Sequence, residues 1–365
     1  MKMSEEKIED ESERTEQLHK RYEWLDQLRG LIIILLIVSV ITWPLSGDFL
    51  GGVTPIGPPL LNHGFQYYKG YPAIITIIDI GQQIFMFILG FVAYLAFTSR
   101  RDKKGTGAAW KHGIIRVAVL YGIAFLDDGL IGGLLFGSGI PWDEVLWYGT
   151  LANLAIGSFA AYLFIYLIPK SADKRLYVCI GIMIIHAILY ATPIFEHKGL
   201  GGTGTLTFPF NALNHAAIAI AGTCFSQWYK MDSSDPEVGF RKRILPVATI
   251  FIIVFYCLDW IQPAEHHDAT TSLAFLAIAA SGFLIAVFYG FEKMKFKVPV
   301  LSEMGKNMLL LFILAFVFDV AIGFLDRDFL MVSPILTMIL VGVLPIVIEA
   351  GIAMLLARKN IVVKI

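Results

Sequence analysis

Charge is scarce in this sequence. Only 16% of its 365 residues are Asp, Glu, Lys or Arg, against 56% hydrophobic, whereas soluble domains carry about a quarter charged residues. That excludes a soluble domain and requires lipid as the solvent for most of the surface. Charge of one sign is missing too: 29 basic and 30 acidic residues leave a net charge of −1, which gives nucleic acid no general attraction. Cysteine is nearly absent. Cys179, Cys224 and Cys257 lie in apolar runs with no CxxC or Cys/His spacing, so they read as small core or lipid-facing residues and no metal site is expected. The first 24 residues lack a hydrophobic stretch ahead of a small-residue cleavage site, so the first membrane helix is expected to act as the insertion signal.

What the chain has in quantity is apolar runs of about twenty residues, the length a helix needs to cross roughly 30 Å of hydrocarbon. They fall at 30–46, 73–97, 114–136, 145–168, 176–195, 212–229, 244–262, 271–291, 307–325 and 331–357. The third contains Asp127 and Asp128 and is crowded with Gly122, Gly129, Gly132, Gly133 and Gly137, the composition of a broken or re-entrant segment. Residues 1–20 are dense in Glu, Lys, Ser and Asp and bury too little apolar area to offset the entropy of ordering. The expectation is an all-α polytopic membrane protein, with a charged cytoplasmic tail over 1–20 and one transmembrane domain over 21–365.

The basic residues orient it. With the N-terminus inside, cytoplasmic segments collect 26 of the 29 Lys and Arg, leaving only Lys69, Lys198 and Arg327 elsewhere. Because Lys and Arg are retained on the cytoplasmic side during insertion, this bias predicts ten transmembrane helices with both termini cytoplasmic. An eleventh span would invert every later loop.

The outer loops hold five of the eight histidines, His63, His197, His215, His266 and His267, and many carboxylates. Asp79 falls inside the second run, where a lone carboxylate is costly, so it should face the bundle interior and be paired. It is either a site residue or, with Gln82 and Gln83, polar glue between helices. Glu265, His266, His267 and Asp268 are adjacent in the chain, which suits a solvated loop touching a polar substrate better than convergent metal ligands. His186 stands alone in the fifth run, as an interhelical hydrogen-bond partner or a proton relay. On the cytoplasmic side, Asp26 and Arg29 share a helical face at i,i+3 beside Tyr22 and Trp24, which alternatively form a headgroup-level anchor. Lys306 and Asn307 open the ninth run, where a helix N-terminus can hold an anionic or polar group.

Taken in order, these segments resemble the heparan-α-glucosaminide N-acetyltransferase-like membrane acyltransferases, within the transmembrane acyltransferase superfamily. The likeness rests on Leu25-Asp26-Gln27-Leu28-Arg29-Gly30 running into an apolar helix, and on His63 followed by Asp79, Phe85, Phe87 and Gly90. It continues in the Ser-containing start of TTSLAFLAIAASGFLIAVFYGFEKM and in Gly305-Lys306-Asn307-Met308-Leu309. It spans nearly the whole chain from residue 21. The chain departs from the family pattern in a longer His63–Asp79 spacing and in an EHHD stretch where a basic residue often stands. Both departures fall where an acceptor would bind.

The resemblance implies transfer of an acyl group, usually acetyl from acetyl-CoA on the cytoplasmic side, to an amine or hydroxyl of a sugar or lipid-linked acceptor on the outer side. His63 would deprotonate the acceptor or carry the acyl group, with Asp79 orienting its ring. Asp26, Arg29, Lys306 and Asn307 would bind the donor. Gly81 and Gly90 would permit close helix packing along the path between the two sides. The expected partners are the bilayer, acyl-CoA, the acceptor and, as an option, a second copy in a homodimer; the expected location is a prokaryotic plasma membrane. Two other readings stay open. One is a proton-coupled small-solute transporter using Asp79, His186 and Asp319, although the halves 21–195 and 196–365 show no repeat. The other is a non-catalytic membrane protein that keeps this fold.

Overall fold

Every described secondary-structure element is a helix, and each of the ten apolar runs contains one. The computed structural model describes residues 22–42, 75, 79–131, 140, 142, 145–146, 149–192, 212–230, 236–265, 269–323 and 338–363. The α-helices longer than one turn among the described residues are α1 (Glu23–Thr42), α2 (Gly81–Lys104), α3 (Thr106–Ala124), α4 (Thr150–Leu167), α5 (Ala172–Tyr190), α6 (Leu213–Lys230), α7 (Leu245–Asp259), α8 (Thr271–Lys293), α9 (Pro299–Lys306), α10 (Met308–Gly323) and α11 (Leu344–Arg358). Helices close their backbone hydrogen bonds internally, as a segment in hydrocarbon must. Helices α2, α4 and α8 are individually long and apolar enough to cross a membrane, and α9 with α10, bent by 87°, makes a fourth span if taken as one broken helix. The chain is an integral membrane protein.

Local sequence sets several of the helix ends. The Ser171 hydroxyl accepts from the Lys174 N–H at 3.2 Å and starts α5, satisfying a donor with no intrahelical partner. Pro299 stands in the first turn of α9, where a missing N–H costs nothing, whereas Pro246 and Pro345 follow directly on π-helical turns over Phe240–Ile244 and Met338–Val343, where proline interrupts the hydrogen-bond ladder. The third run widens from α3 into a π-helix over Phe125–Ile131, a span that includes Asp127, Asp128 and Gly129. The second run differs from its sequence limits. Its helix begins at Gly81 rather than 73, which leaves Asp79 in the turn ahead of the N-terminus. A carboxylate there faces the positive end of the helix dipole.

The core is built around α2 and α6. Phe87 and Phe225 meet edge to face at 5.0 Å, and Phe91 and Tyr229 lie tilted to one another at 6.0 Å, so the two helices run parallel. A Cβ on Gly90 would overlap the Ala219 carbonyl, whereas one on Gly81 would meet only Leu35 at 3.8 Å; of these two glycines, only Gly90 is required by packing. Trp24 is fully buried, 5.9 Å from Phe91 and 5.4 Å from Tyr229, with its indole N–H on the Tyr229 hydroxyl at 3.3 Å. It is a core residue and not a headgroup anchor.

Arg175 ties α4, α5 and α6 together. It is 0% exposed, and its guanidinium donates to the Ile168 carbonyl just past α4 at 2.7 Å, to the Thr223 hydroxyl at 3.0 Å and carbonyl at 3.1 Å, and to Gln227 Oε1 at 2.7 Å. Its carbon centre also lies 5.1 Å from the Tyr94 ring. A buried charge is tolerable when its donors are satisfied in this way.

Candidate functional site at the two ends of the bundle

At the basic end, α9 crosses the start of α1. The crossing is closer than any side chain allows: a Cβ on Gly30 would overlap the Leu301 carbonyl, and one on Gly305 the Asp26 carbonyl. This contact brings Asp26 and Arg29, near the beginning of the chain, beside Lys306 and Asn307, nearly three hundred residues later. The Arg29 guanidinium lies 3.3 Å from Asp26 Oδ1, with the two side chains 20% and 4% exposed, and Lys306 pairs with Glu303 one turn back. Asn307 accepts the Val363 N–H at 3.0 Å and fastens the C-terminal segment onto the junction. Gln27 Oε1 accepts the Val298 N–H at 2.8 Å, and the Val298 carbonyl accepts from Ser302 N at 3.2 Å. Flanking this point, Gln27 Nε2 and the Ser302 hydroxyl are buried with no hydrogen-bond partner among the described residues. Burial and the nearby Glu292 carboxylate raise the Tyr22 phenol above its ordinary pKa, which keeps it a neutral donor.

The opposite end is polar in a different way. The first turns of α2, α6 and α8 carry Gln83, Asn214, His215, Thr271 and Ser272, the last turns of α5 carry His186, and all are buried, as are Asp79 and Glu265. Thr271 organises part of this layer. Its hydroxyl donates to the Met183 carbonyl at 3.1 Å, receives Asn214 Nδ2 at 3.3 Å and meets His186 Nδ1 at 3.2 Å. With the hydroxyl proton directed to Met183, His186 donates to it from Nδ1, the Nδ1–H tautomer. Thr270 closes the loop before α8 by accepting the Glu265 N–H at 2.9 Å. Both amide atoms of Gln83, Oδ1 of Asn214 and Nε2 of Gln262 are buried without a hydrogen-bond partner among the described residues. Buried amides are ordinarily satisfied.

Asp79 and Glu265 thus lie at one end, and Asp26, Arg29, Lys306 and Asn307 at the other. His63, His266, His267 and Asp268 lie outside the described residues. Three features exceed what the sequence reading singled out. The saturation of Arg175 and the open Oδ1 of Asn214, whose Nδ2 is already bonded, carry no local sequence signal. Glu349 does: a single acid within the 331–357 run. It is 0% exposed in α11, and neither carboxylate oxygen has a hydrogen-bond partner among the described residues.

A family model for an acyltransferase domain matches residues 22–354, a range that contains α1 to α10 and most of α11. No curated protein matches the chain. The chain belongs to this acyltransferase family.

Proposed function

We propose that this membrane acyltransferase moves an acyl group, acetyl in the first instance, from cytoplasmic acyl-CoA to an amine or hydroxyl of a sugar or lipid-linked acceptor on the outer face, in the manner of the heparan-α-glucosaminide N-acetyltransferase-like members it resembles. The reading takes the bundle as ten spans with both termini cytoplasmic, in a prokaryotic plasma membrane. The observation that carries it is the α1–α9 crossing, which brings Arg29 and Lys306, each paired with a carboxylate, together from the two ends of the family domain.

The donor-side residues fit a phosphate-bearing coenzyme in kind. Arg29 and Lys306 are partly exposed and held in place by carboxylates, and the Gln27 amide and Ser302 hydroxyl beside them have hydrogen-bonding capacity to offer a pantetheine amide or phosphate oxygen. Asn307 holds the junction's shape. Acyl-CoA supplies an activated thioester. On the acceptor side, the acceptor's oxygen or nitrogen attacks the thioester carbonyl carbon while His63 takes its proton, Asp79 stabilises the resulting imidazolium, and the carbon–sulfur bond breaks, releasing coenzyme A as the thiol once its sulfur takes that proton. Glu265, His266, His267 and Asp268 line the acceptor's approach.

The test is binding and turnover in nanodiscs. Wild type should bind acetyl-CoA saturably, Arg29→Ala should weaken binding, and His63→Ala should bind normally but transfer nothing. Absence of binding at millimolar acetyl-CoA by folded protein overturns the reading. It would favour a proton-coupled transporter instead, for which the buried Glu349 carboxylate is the specific support.

A further inference from the structure

Between the segment leading into α7 and the last turns of α8, at the basic end, lies a cavity of about 410 Å³. Its floor is aromatic, with Tyr289 stacked on Phe240 at 4.5 Å, and Leu245 and Ala286 contribute apolar walls. Its rim is charged. Lys293 Nζ lies 3.0 Å from Glu237 and 5.5 Å from the centre of the Tyr289 ring, and Arg241, exposed on the other side, makes no ion pair among the described residues. Two cations and one carboxylate leave the rim a net charge of +1.

Away from the rim, the same two helices expose Ile250, Ile253, Phe283 and Val287. An occupant must therefore offer a single negative charge at one end and hydrocarbon at the other. A cavity of this volume holds a headgroup and leaves acyl chains to the stripe outside. We propose that the groove binds an anionic phospholipid, its phosphodiester between Arg241 and Lys293 and a chain along Ile250, Ile253, Phe283 and Val287. The lipid comes from the cytoplasmic leaflet, a point that rests on the orientation proposed above. Basic pockets between membrane helices suit anionic headgroups on general grounds, and this one adds an aromatic floor and a lipid-facing exit.

Native mass spectrometry of the full chain, released from vesicles of phosphatidylcholine and phosphatidylglycerol with identical acyl chains, tests this directly. Wild type should retain phosphatidylglycerol selectively, and Arg241→Glu with Lys293→Glu should lower that selectivity about tenfold. Lys359→Glu, just past α11 and away from the groove, should leave it unchanged. The milder Arg241→Gln should give an intermediate loss. Equal retention of the two lipids, or indifference to the Arg241 variants, overturns the proposal. So does displacement of the lipid by soluble glycerol 1-phosphate or coenzyme A at matched phosphate concentration, which would assign the groove to a soluble phosphate. Acetyl-CoA turnover is a separate readout: its failure would overturn the acyltransferase reading and leave the lipid result standing.

Discussion

The two ends of the bundle handle buried polarity differently. At the basic end, charges are closed on carboxylates or on other acceptors: Arg29 on Asp26, Lys306 on Glu303, and Arg175 on four acceptor atoms of Ile168, Thr223 and Gln227. At the other end the buried groups are mostly amides, hydroxyls and imidazoles, and Gln83, Asn214 and Gln262 retain hydrogen-bonding atoms without partners among the described residues. A satisfied polar network specifies and rigidifies, whereas an incomplete one costs stability. Gln27 and Ser302 apart, the contrast separates an end whose charges are closed from an end whose buried amides keep capacity for a bound molecule.

The comparison breaks most readily at the α1–α9 crossing. Gly305→Leu forces a side chain into the Asp26 carbonyl and should cost about 3 kcal/mol or more, seen as loss of monodisperse protein and of acetyl-CoA binding together. A variant that stays folded and binds would show that the junction yields. Next comes Arg175→Met, which strips the donors from Ile168, Thr223 and Gln227. Leaving several buried acceptors bare should lower stability by about 3 kcal/mol, measured as the thermal midpoint in detergent. Arg175→Lys should rescue little, because an ammonium lacks the planar fork that reaches all three residues.

At the other end the effects are smaller and divide function from stability. Thr271→Val removes the hydroxyl that fixes the His186 tautomer and should cost ~1–2 kcal/mol, while nitrogen-15 NMR of the imidazole should show mixed tautomers. A single unchanged tautomer would mean that another contact holds the ring. Gln83→Leu sharpens the contrast most finely. Removing an amide with no partner should raise stability by ~1 kcal/mol, yet lower kcat/KM for the acceptor about tenfold if that amide meets it. Stability and turnover falling together would place Gln83 in the structural network.

Much of the helix layout was legible because hydrophobic length is a local property. The runs 212–229, 244–262 and 271–291 match α6, α7 and α8 closely. The limits failed where local composition does not discriminate. Residues 73–80 are as apolar as the helix that follows, and only the structure shows the helix opening at Gly81 behind Asp79. Helix α9 was invisible as an element because it lies outside every apolar run, and its position depends on two glycines that meet across the fold. The site was legible by residue type and not by assembly. Asp26 and Arg29 form a local i,i+3 pair that sequence can suggest, whereas their approach to Lys306 and the convergence of Asn214, Thr271 and His186 are tertiary facts.

Arg175 also bears on how the protein is made. Its partners Thr223 and Gln227 lie 48 and 52 residues further along the chain, so while α5 leaves the ribosome its guanidinium has only the Ile168 carbonyl, behind it, to bond. Synthesis at about 5–20 residues per second sets a wait of several seconds before α6 arrives. During that interval Arg175 lies ahead of the apolar part of α5 and keeps its remaining donors on water, so the packing of α5 against α4 should be completed only when α6 arrives. A ribosome stalled before residue 223 would leave α5 inserted but loosely packed, and one stalled after Lys230 has emerged would let the three helices lock together.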